Sequence, residues 1–228
     1  MNSDPSGKRE KIRILMVDDH PIVREGMAHF LNLQDDLDLC CGAANAEEAL
    51  AAMAQHDPAL AIVDIALNGD SGLDLIRTLR HRYPTLAILA MSMHDESVFA
   101  ERALRVGANG YLMKQEATAN ILLAVRQLLG GDIYLSTRMH TRLMQRLAVP
   151  RTGAPASASP IAGLSEREFE VLHLIGLGFG TRQIGEKLNR SIKTIESHRA
   201  SLKEKLNLPD STALLRFALH WLEDDHTT

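Results

Sequence analysis

Five side chains in the first half of this 228-residue sequence could together handle a phosphoryl group. Asp18 and Asp19 follow one apolar run, Asp64 ends a second, Ser92 a third and Lys114 a fourth. Carboxylates crowded at one rim repel one another unless a cation joins them. Hard oxygen ligands of this kind suit Mg²⁺, which keeps several waters and needs only one or two protein carboxylates. Ser92 would add a hydroxyl donor and Lys114 a compact point charge able to pair with a phosphate oxygen. An aspartate, a divalent cation, a hydroxyl and an ammonium form a receptor for a phosphoryl group carried on the aspartate. Each residue taken alone reads more simply as a strand-end helix cap. The recurrence at successive strand ends is what points to chemistry.

The elements that would position these residues are legible from periodicity. Short apolar runs at 12–17, 37–41, 60–63, 86–91 and 111–113 read as buried strands. Amphipathic helical patterns lie between and after them, at 21–33, 46–55, 72–82, 97–106 and 117–129. Five strands alternating with five helices predict an α/β, doubly wound (βα)5 domain with helices on both faces of a parallel sheet. Sites in such sheets form at the carboxyl ends of the strands, where the five residues fall. His20, beside the acidic pair, is read first as a structural turn residue. The adjacent Cys40 and Cys41 are read first as strand packing.

From residue 136 the pattern breaks. The small, polar, proline-spaced stretch 151–160 predicts a partly extended linker, and 137–147 a short helix before it. Only helices follow. Ser165 and Glu168 make a capping box opening a helix that carries Phe169, Val171, Leu172 and Ile175 inward. The run Gly176-Leu-Gly-Phe-Gly180 resembles a phosphate loop, but it follows a helix, so Gly178 is expected to end that helix in a left-handed conformation. Thr181 is expected to cap a short helix over 182–188, and Ser191 a longer one to about residue 206. On the latter, Ile195, Leu202 and Leu206 share one stripe, while Lys193, Ser197, Ala200 and Glu204 lie opposite. Small and polar residues flanked by Arg190, Arg199 and Lys203 suit a DNA major groove. By charge alone they suit a solvated helix face better. Asp210 or Ser211 is expected to cap a last helix whose broad apolar stripe carries Leu214, Leu215, Phe217, Ala218, Trp221 and Leu222.

Composition bounds these readings. The chain is 45% hydrophobic and 24% charged, as globular proteins are, with apolar runs too short for a membrane helix and no apolar segment behind its N-terminal basic residues. Two adjacent cysteines cannot build a disulfide framework or a four-ligand zinc site. These features predict a soluble, cytoplasmic protein of a reducing compartment, with no membrane partner. The net charge of −4 is uneven: residues 12–135 carry 17 acidic against nine basic residues, and residues 181–208 three against seven. An acidic front and a basic segment behind it point to two modules with different partners.

Two resemblances follow from these motifs. Val17-Asp-Asp-His-Pro-Ile-Val-Arg-Glu-Gly26, Ile62-Val-Asp-Ile65 with Gly72, Ala90-Met-Ser92 and Gly110-Tyr-Leu-Met-Lys114 resemble the receiver domain of two-component response regulators, and the Asp-Asp-His-Pro opening is similar to the NarL/FixJ subfamily. Leu164 to Leu172, Gly178 to Leu188, Lys193 to Arg199 and Lys205 to Leu208 resemble the LuxR-type helix-turn-helix. The resemblances imply a disordered tail over 1–11, a receiver over 12–133, a linker over 134–160 and a DNA-binding domain over 161–228. They imply Asp64 as phosphoacceptor, with Asp18, Asp19, Asp64 and the backbone carbonyl of Ala66 holding Mg²⁺. Ser92 and Lys114 would grip the phosphoryl oxygens, and Tyr111 would be the switch aromatic. Asn68 and Ala66 depart from the family. Position 66 and His94 border the attacking water there, so the change bears on how fast the acyl phosphate hydrolyses. On DNA, Glu196, Ser197 and Ala200 would face bases and Lys193, Arg199 and Lys203 would face phosphates. Glu196 departs from the basic residue common in the family; it either accepts from a cytosine amino group or repels phosphates.

The implied function is a phosphorylation-activated transcriptional regulator. Its implied partners are a sensor histidine kinase, DNA, a second copy of itself when phosphorylated, and RNA polymerase. A phosphate-sink receiver with a protein-binding C-terminal domain and a phosphate-independent DNA binder are the alternatives. An independent enzyme is not expected, since the only chemistry visible is transfer to and from the chain's own side chain.

Overall fold

The structure is a computed structural model that describes residues 11–67, 71–93, 96–148, 160–188 and 190–226. All of the expected tail except Lys11 lies outside the described residues, as do Asn68, His94 and 151–159. The chain divides into two units, Met1–Val149 and Pro150–Thr228.

The first unit runs β1 (Ile12–Val17), α1 (Pro21–Asn32), β2 (Leu37–Ala43), α2 (Ala46–His56), β3 (Leu60–Asp64), α3 (Gly72–Arg82), β4 (Ala87–Ser92), α4 (Glu96–Arg105), β5 (Gly110–Met113), α5 (Ala117–Leu129) and α6 (Thr137–Ala148). The five strands are parallel in the order β2-β1-β3-β4-β5, the expected doubly wound sheet. Both faces are covered, which is why the strands are nearly continuous apolar runs. On one face Ile14, Met16, Ile62, Leu89 and Leu112 pack with Leu31 of α1 and with Ile121, Val125 and Leu128 of α5. At about 1.5–3 kcal/mol per fully buried large side chain, this layer is the main stabilising term of the unit.

Local chemistry fixes the helix starts. Pro21 occupies the first turn of α1, and the Asn45 and Ser71 side chains accept from the backbone N–H groups of Glu48 and Asp74 to open α2 and α3. Gly72 permits a close approach that no other residue could make. A Cβ there would fall 2.1 Å from the Asp64 carbonyl oxygen and 2.5 Å from Ile65 Cα. Beyond α5, within the stretch expected as a linker, Tyr134 is buried and bridges Gly110 in parallel. Its N–H donates to the Asn109 carbonyl (3.1 Å), and its own carbonyl accepts from the Tyr111 N–H (3.0 Å).

The second unit contains α7 (Glu166–Gly176), α8 (Thr181–Lys187), α9 (Ile192–Lys205) and α10 (Ser211–His226). Its core gathers Phe169, Val171, Leu172 and Ile175 of α7, Ile184, Ile195, Leu202, and Leu214, Ala218 and Leu222 of α10. The capping box forms: the Ser165 N–H donates to Glu168 Oε2 (2.7 Å) and the Glu168 N–H to Ser165 Oγ (3.4 Å). Gly178 takes φ +85° and ends α7, as expected. The cap of α8 is Gly180, one residue before the expected Thr181, because Gln183 Oε1 reaches back to the Gly180 N–H (2.9 Å). Asp210, not Ser211, caps α10, its Oδ1 accepting from the Ala213 N–H at 2.8 Å. Leu215 and Leu219 remain about two-fifths exposed on α10. No helix among the described residues is long and apolar enough to cross a membrane.

Candidate functional site

The parallel sheet delivers Asp18, Asp64, Ser92 and Lys114 to one rim. Asp18 follows β1, Asp64 and Ser92 are the last residues of β3 and β4, and Lys114 follows β5. Asp18, Asp64 and Ser92 are buried. Lys114 Nζ lies 2.6 Å from Asp18 Oδ2 and 2.8 Å from Asp64 Oδ2, so a single ammonium joins two strand ends. Asp64 Oδ1 accepts the Ala66 N–H at 3.0 Å. Ala66 thus touches the Asp64 carboxylate through its backbone N–H.

His20 is a full member of this cluster. Its Nδ1 stands 2.8 Å from Asp19 Oδ1 and 3.1 Å from Asp18 Oδ1, and its N–H donates to Asp18 Oδ1 at 2.9 Å. Carboxylate and imidazole atoms of Asp18, Asp19, His20 and Asp64 all lie within 4.8 Å of one another. Arg24, one turn into α1, donates to the Asp18 carbonyl at 2.5 Å and lies over Gly42. From sequence, a structural turn role for His20 ranks ahead of a ligand role, and Arg24 is given no role. Their place in the Asp-Asp-His-Pro-Ile-Val-Arg run was the available signal.

The charges do not balance within the cluster. Burial pushes the Asp64 carboxyl above the ordinary carboxylate range, against the pull of Lys114 and the Ala66 N–H. Burial also works against the charge on Lys114, but the Asp64 and Asp18 carboxylates outweigh it and hold its pKa above the usual lysine value. Asp18 Oδ2 and Asp19 Oδ1 are buried and accept no well-oriented hydrogen bond, although a nitrogen stands close to each. Three carboxylates, two of them sharing one ammonium and the third beside the His20 imidazole, form a donor set rich in hard oxygens and short of positive charge. That set fits Mg²⁺. Tyr111, the next residue of interest on β5, is already turned inward and 1% exposed.

The second candidate surface is α9. Ser191 Oγ accepts the Thr194 N–H (3.1 Å) to start it, and Ile195 and Leu202 are buried, with Leu206 half-buried. Lys193, Glu196, Ser197, Ala200 and Glu204 are exposed on the other side, whereas Arg199 and Lys203 are half-buried. Burial lowers the pKa of Arg199, which still leaves a guanidinium charged at any physiological pH. Glu168 of α7 clamps the helix in place. Its Oε1 accepts from Ser201 Oγ (2.5 Å) and its Oε2 pairs with Lys205 Nζ (2.7 Å). Arg182, Arg190, Ser191 and Ile192 line an open cavity of about 390 Å³ where α8 meets α9.

Similarity to known proteins covers both units. Residues 14–126 match the response regulator receiver domain, and residues 162–218 match the bacterial regulatory proteins of the luxR family. The oxygen regulatory protein NreC of Staphylococcus carnosus is 36% identical over 211 residues, which is 91% of this chain and 97% of that protein. RcsB from Salmonella enterica serovar Typhimurium, solved on promoter rprA in the presence of the phosphomimetic BeF3⁻, has a TM-score of 0.55. It is 26% identical over 92% of this chain and 98% of its own. Two RcsB dimers bound to two parallel DNAs give a TM-score of 0.55 at 27% identity, over 91% of this chain and 98% of that one.

Proposed function

Because the chain belongs to the response regulators that join a receiver domain to a LuxR-type helix-turn-helix, we propose that it is a cytoplasmic transcriptional regulator switched by phosphorylation of Asp64. The observation that carries this reading is the single ammonium of Lys114 shared by Asp18 and Asp64 at the sheet rim. A sensor histidine kinase would be the donor: an Asp64 carboxylate oxygen attacks the phosphorus, the P–N bond to the kinase histidine breaks, and an acyl phosphate forms on Asp64. Asp18, Asp19 and Asp64, with the Ala66 carbonyl, would hold Mg²⁺, which supplies charge neutralisation and Lewis acidity toward the phosphoryl oxygens.

The chain's own residues do the rest. A phosphoryl group adds roughly −1.5 to −2 of charge. Lys114 then follows that charge from Asp64 Oδ2 onto a phosphoryl oxygen, and the Ser92 hydroxyl donates to another. Movement at Ser92 and Lys114 acts on both neighbours of β5. Glu96 opens α4 just beyond Ser92, and its Oε1 accepts the Ser136 N–H (2.8 Å), while Tyr134 extends the sheet beside β5. The start of α6 is therefore tied to the switch face at two points, and the Tyr111 N–H donates to the Tyr134 carbonyl at one of them. This is a two-state element biased by a local charge.

On DNA, α9 would enter the major groove. Glu196, Ser197 and Ala200 would face base edges, and Lys193, Arg199 and Lys203 the phosphates. The exposed Leu215 and Leu219 of α10 support pairing of two such units on successive half-sites. RNA polymerase is the partner such a bound dimer would recruit or block. The test is labelling by acetyl phosphate together with a gel shift on genomic fragments. Wild type should take up phosphate and bind DNA more tightly with donor. Asp64→Asn should take up none and lose that response, and unchanged labelling of the variant would overturn the acceptor. Uptake without any shift would indicate a phosphate sink.

A further inference from the structure

The two cysteines of the chain are brought together in a way that an ordinary strand forbids. Adjacent side chains on a β-strand point to opposite faces, yet Cys40 Sγ and Cys41 Sγ lie 3.2 Å apart. The cause is a register slip. β1 and β2 pair Ile14 with Leu39 and then Leu15 with Cys41, so Cys40 is an extra residue on β2 with no partner in the ladder. Its thiol turns to the Ile14 carbonyl instead, at 3.5 Å. Both residues are half-buried, and β2 is an edge strand of the sheet.

We propose that Cys40 and Cys41 form a reversible dithiol–disulfide modification site, closed by low-molecular-weight disulfides and reopened by thiols. The chemistry balances without any group from the protein's other sites. One cysteine thiolate attacks a sulfur of the small disulfide and releases one small thiol, leaving a mixed disulfide. The other cysteine then displaces the second small thiol. The protein loses two protons and two electrons, and the donor is reduced to two thiols. Burial, together with the neighbouring Cys40 thiol, pushes Cys41 up to about 12; either cysteine can make the first attack as its thiolate, and the other then resolves the mixed disulfide.

Geometry makes the product labile. Neighbouring Cα atoms are about 3.8 Å apart, short of the roughly 4.4–6.8 Å that unstrained disulfides span. A ring closed between adjacent residues is therefore strained and readily reduced, the behaviour of regulatory rather than structural bridges. The slip leaves Cys40 without a register partner, and it is this extra residue that brings the two sulfurs to one side of the strand. Ala43, two residues beyond the pair, accepts the Asp18 N–H through its carbonyl at 3.1 Å. Closure thus reaches the backbone that supports the acidic rim.

The experiment treats the folded full-length protein with oxidised glutathione, then denatures, alkylates and weighs it. The expected result is a monomer lighter by two hydrogens that takes up no alkyl group, with both thiols recovered on adding dithiothreitol. In urea the same oxidant should close the ring several-fold more slowly, because the slip that aligns the thiols is lost. Cys40→Ser and Cys41→Ser should each stop at a glutathione adduct. Persisting alkylation of both thiols, a stable adduct on wild type, linkage only between chains, or equal rates with and without urea would overturn the proposal.

Discussion

Glu168 gives the sharpest test of how the second unit is held together. Its carboxylate accepts from the Ser165 N–H, Ser201 Oγ and Lys205 Nζ at 2.7, 2.5 and 2.7 Å, and it is 5% exposed. Burial works against the anion, but Lys205, Ser201 and Ser165 outweigh it and bring the pKa down from 4.5 to about 2. A carboxyl lowered by folding stabilises the native state above its unfolded pKa, and that stability drains away as pH falls toward the folded value. The slope is about 1.4 kcal/mol per pH unit between those limits. The whole span would come to about 3 kcal/mol, and nearer 2 once solvent screening of the half-exposed Lys205 is allowed for.

The assay is unusually clean because the chain has one tryptophan. Trp221 on α10 sits edge-on to Phe169 of α7 with ring centroids 5.1 Å apart, so its fluorescence follows unfolding of this unit alone. Urea unfolding at pH 7 should find Glu168→Gln less stable than wild type by about 2–3 kcal/mol. Glutamine keeps the size and one acceptor oxygen but not the charge. Between about pH 5 and pH 3 the gap should shrink by more than half, because wild type loses what the variant never had. A gap that stays constant across that range would refute the electrostatic account and leave only packing and capping. Equal stabilities at pH 7 would refute any role for the clamp.

Other perturbations test other links. Gly72→Ala drives a methyl into the Asp64 carbonyl and Ile65 Cα, both backbone; it should cost about 3 kcal/mol or more in urea unfolding followed by circular dichroism, and slow Asp64 labelling in whatever stays folded. Glu96→Ala frees the Ser136 N–H. It should leave acetyl phosphate labelling near wild type while shrinking the donor-dependent gain in DNA affinity several-fold; an intact gain would show that this tether carries no signal. Lys193→Ala removes an exposed charge from the start of α9 and should lower the slope of log affinity against log salt by about one, nearly equally on every sequence bound.

What the sequence disclosed and what it withheld follow a physical line. Every strand and helix of the first unit lies within two residues of its expected bounds, and α3 and α5 match at both ends, because apolar runs, caps and glycines act over a few neighbouring residues. The four rim positions were readable for the same reason: each is the residue at which an apolar run stops. Hidden were the contacts that packing alone decides. The slip at Cys40 depends on a partner strand 26 residues earlier in the chain. Glu96 meets Ser136 across 40 residues and Glu168 meets Lys205 across 37. The α8 cap moved from Thr181 to Gly180 because the Gln183 side chain answered the Gly180 N–H, a choice that propensity does not make.

Two carboxylate–lysine pairs, each on a buried carboxylate, show how one interaction serves opposite ends. Asp64 with Lys114 and Glu168 with Lys205 have nearly the same separation, 2.8 and 2.7 Å. Around Glu168 two hydroxyl or amide donors join the ammonium, so the anion is settled and its pKa falls. Around Asp64 a second buried carboxylate shares the same lysine and one backbone N–H is the further donor, so burial prevails and the pKa rises. An anion held that way is stabilised by any further positive charge that reaches it, and its lysine is already divided between two partners. Under the proposed function, the pair at the sheet rim suits rearrangement by a cation and a phosphoryl group, while the pair under α9 suits holding that helix still. Exchanging their surroundings, by giving Asp64 extra donors or stripping them from Glu168, would lock the first and loosen the second.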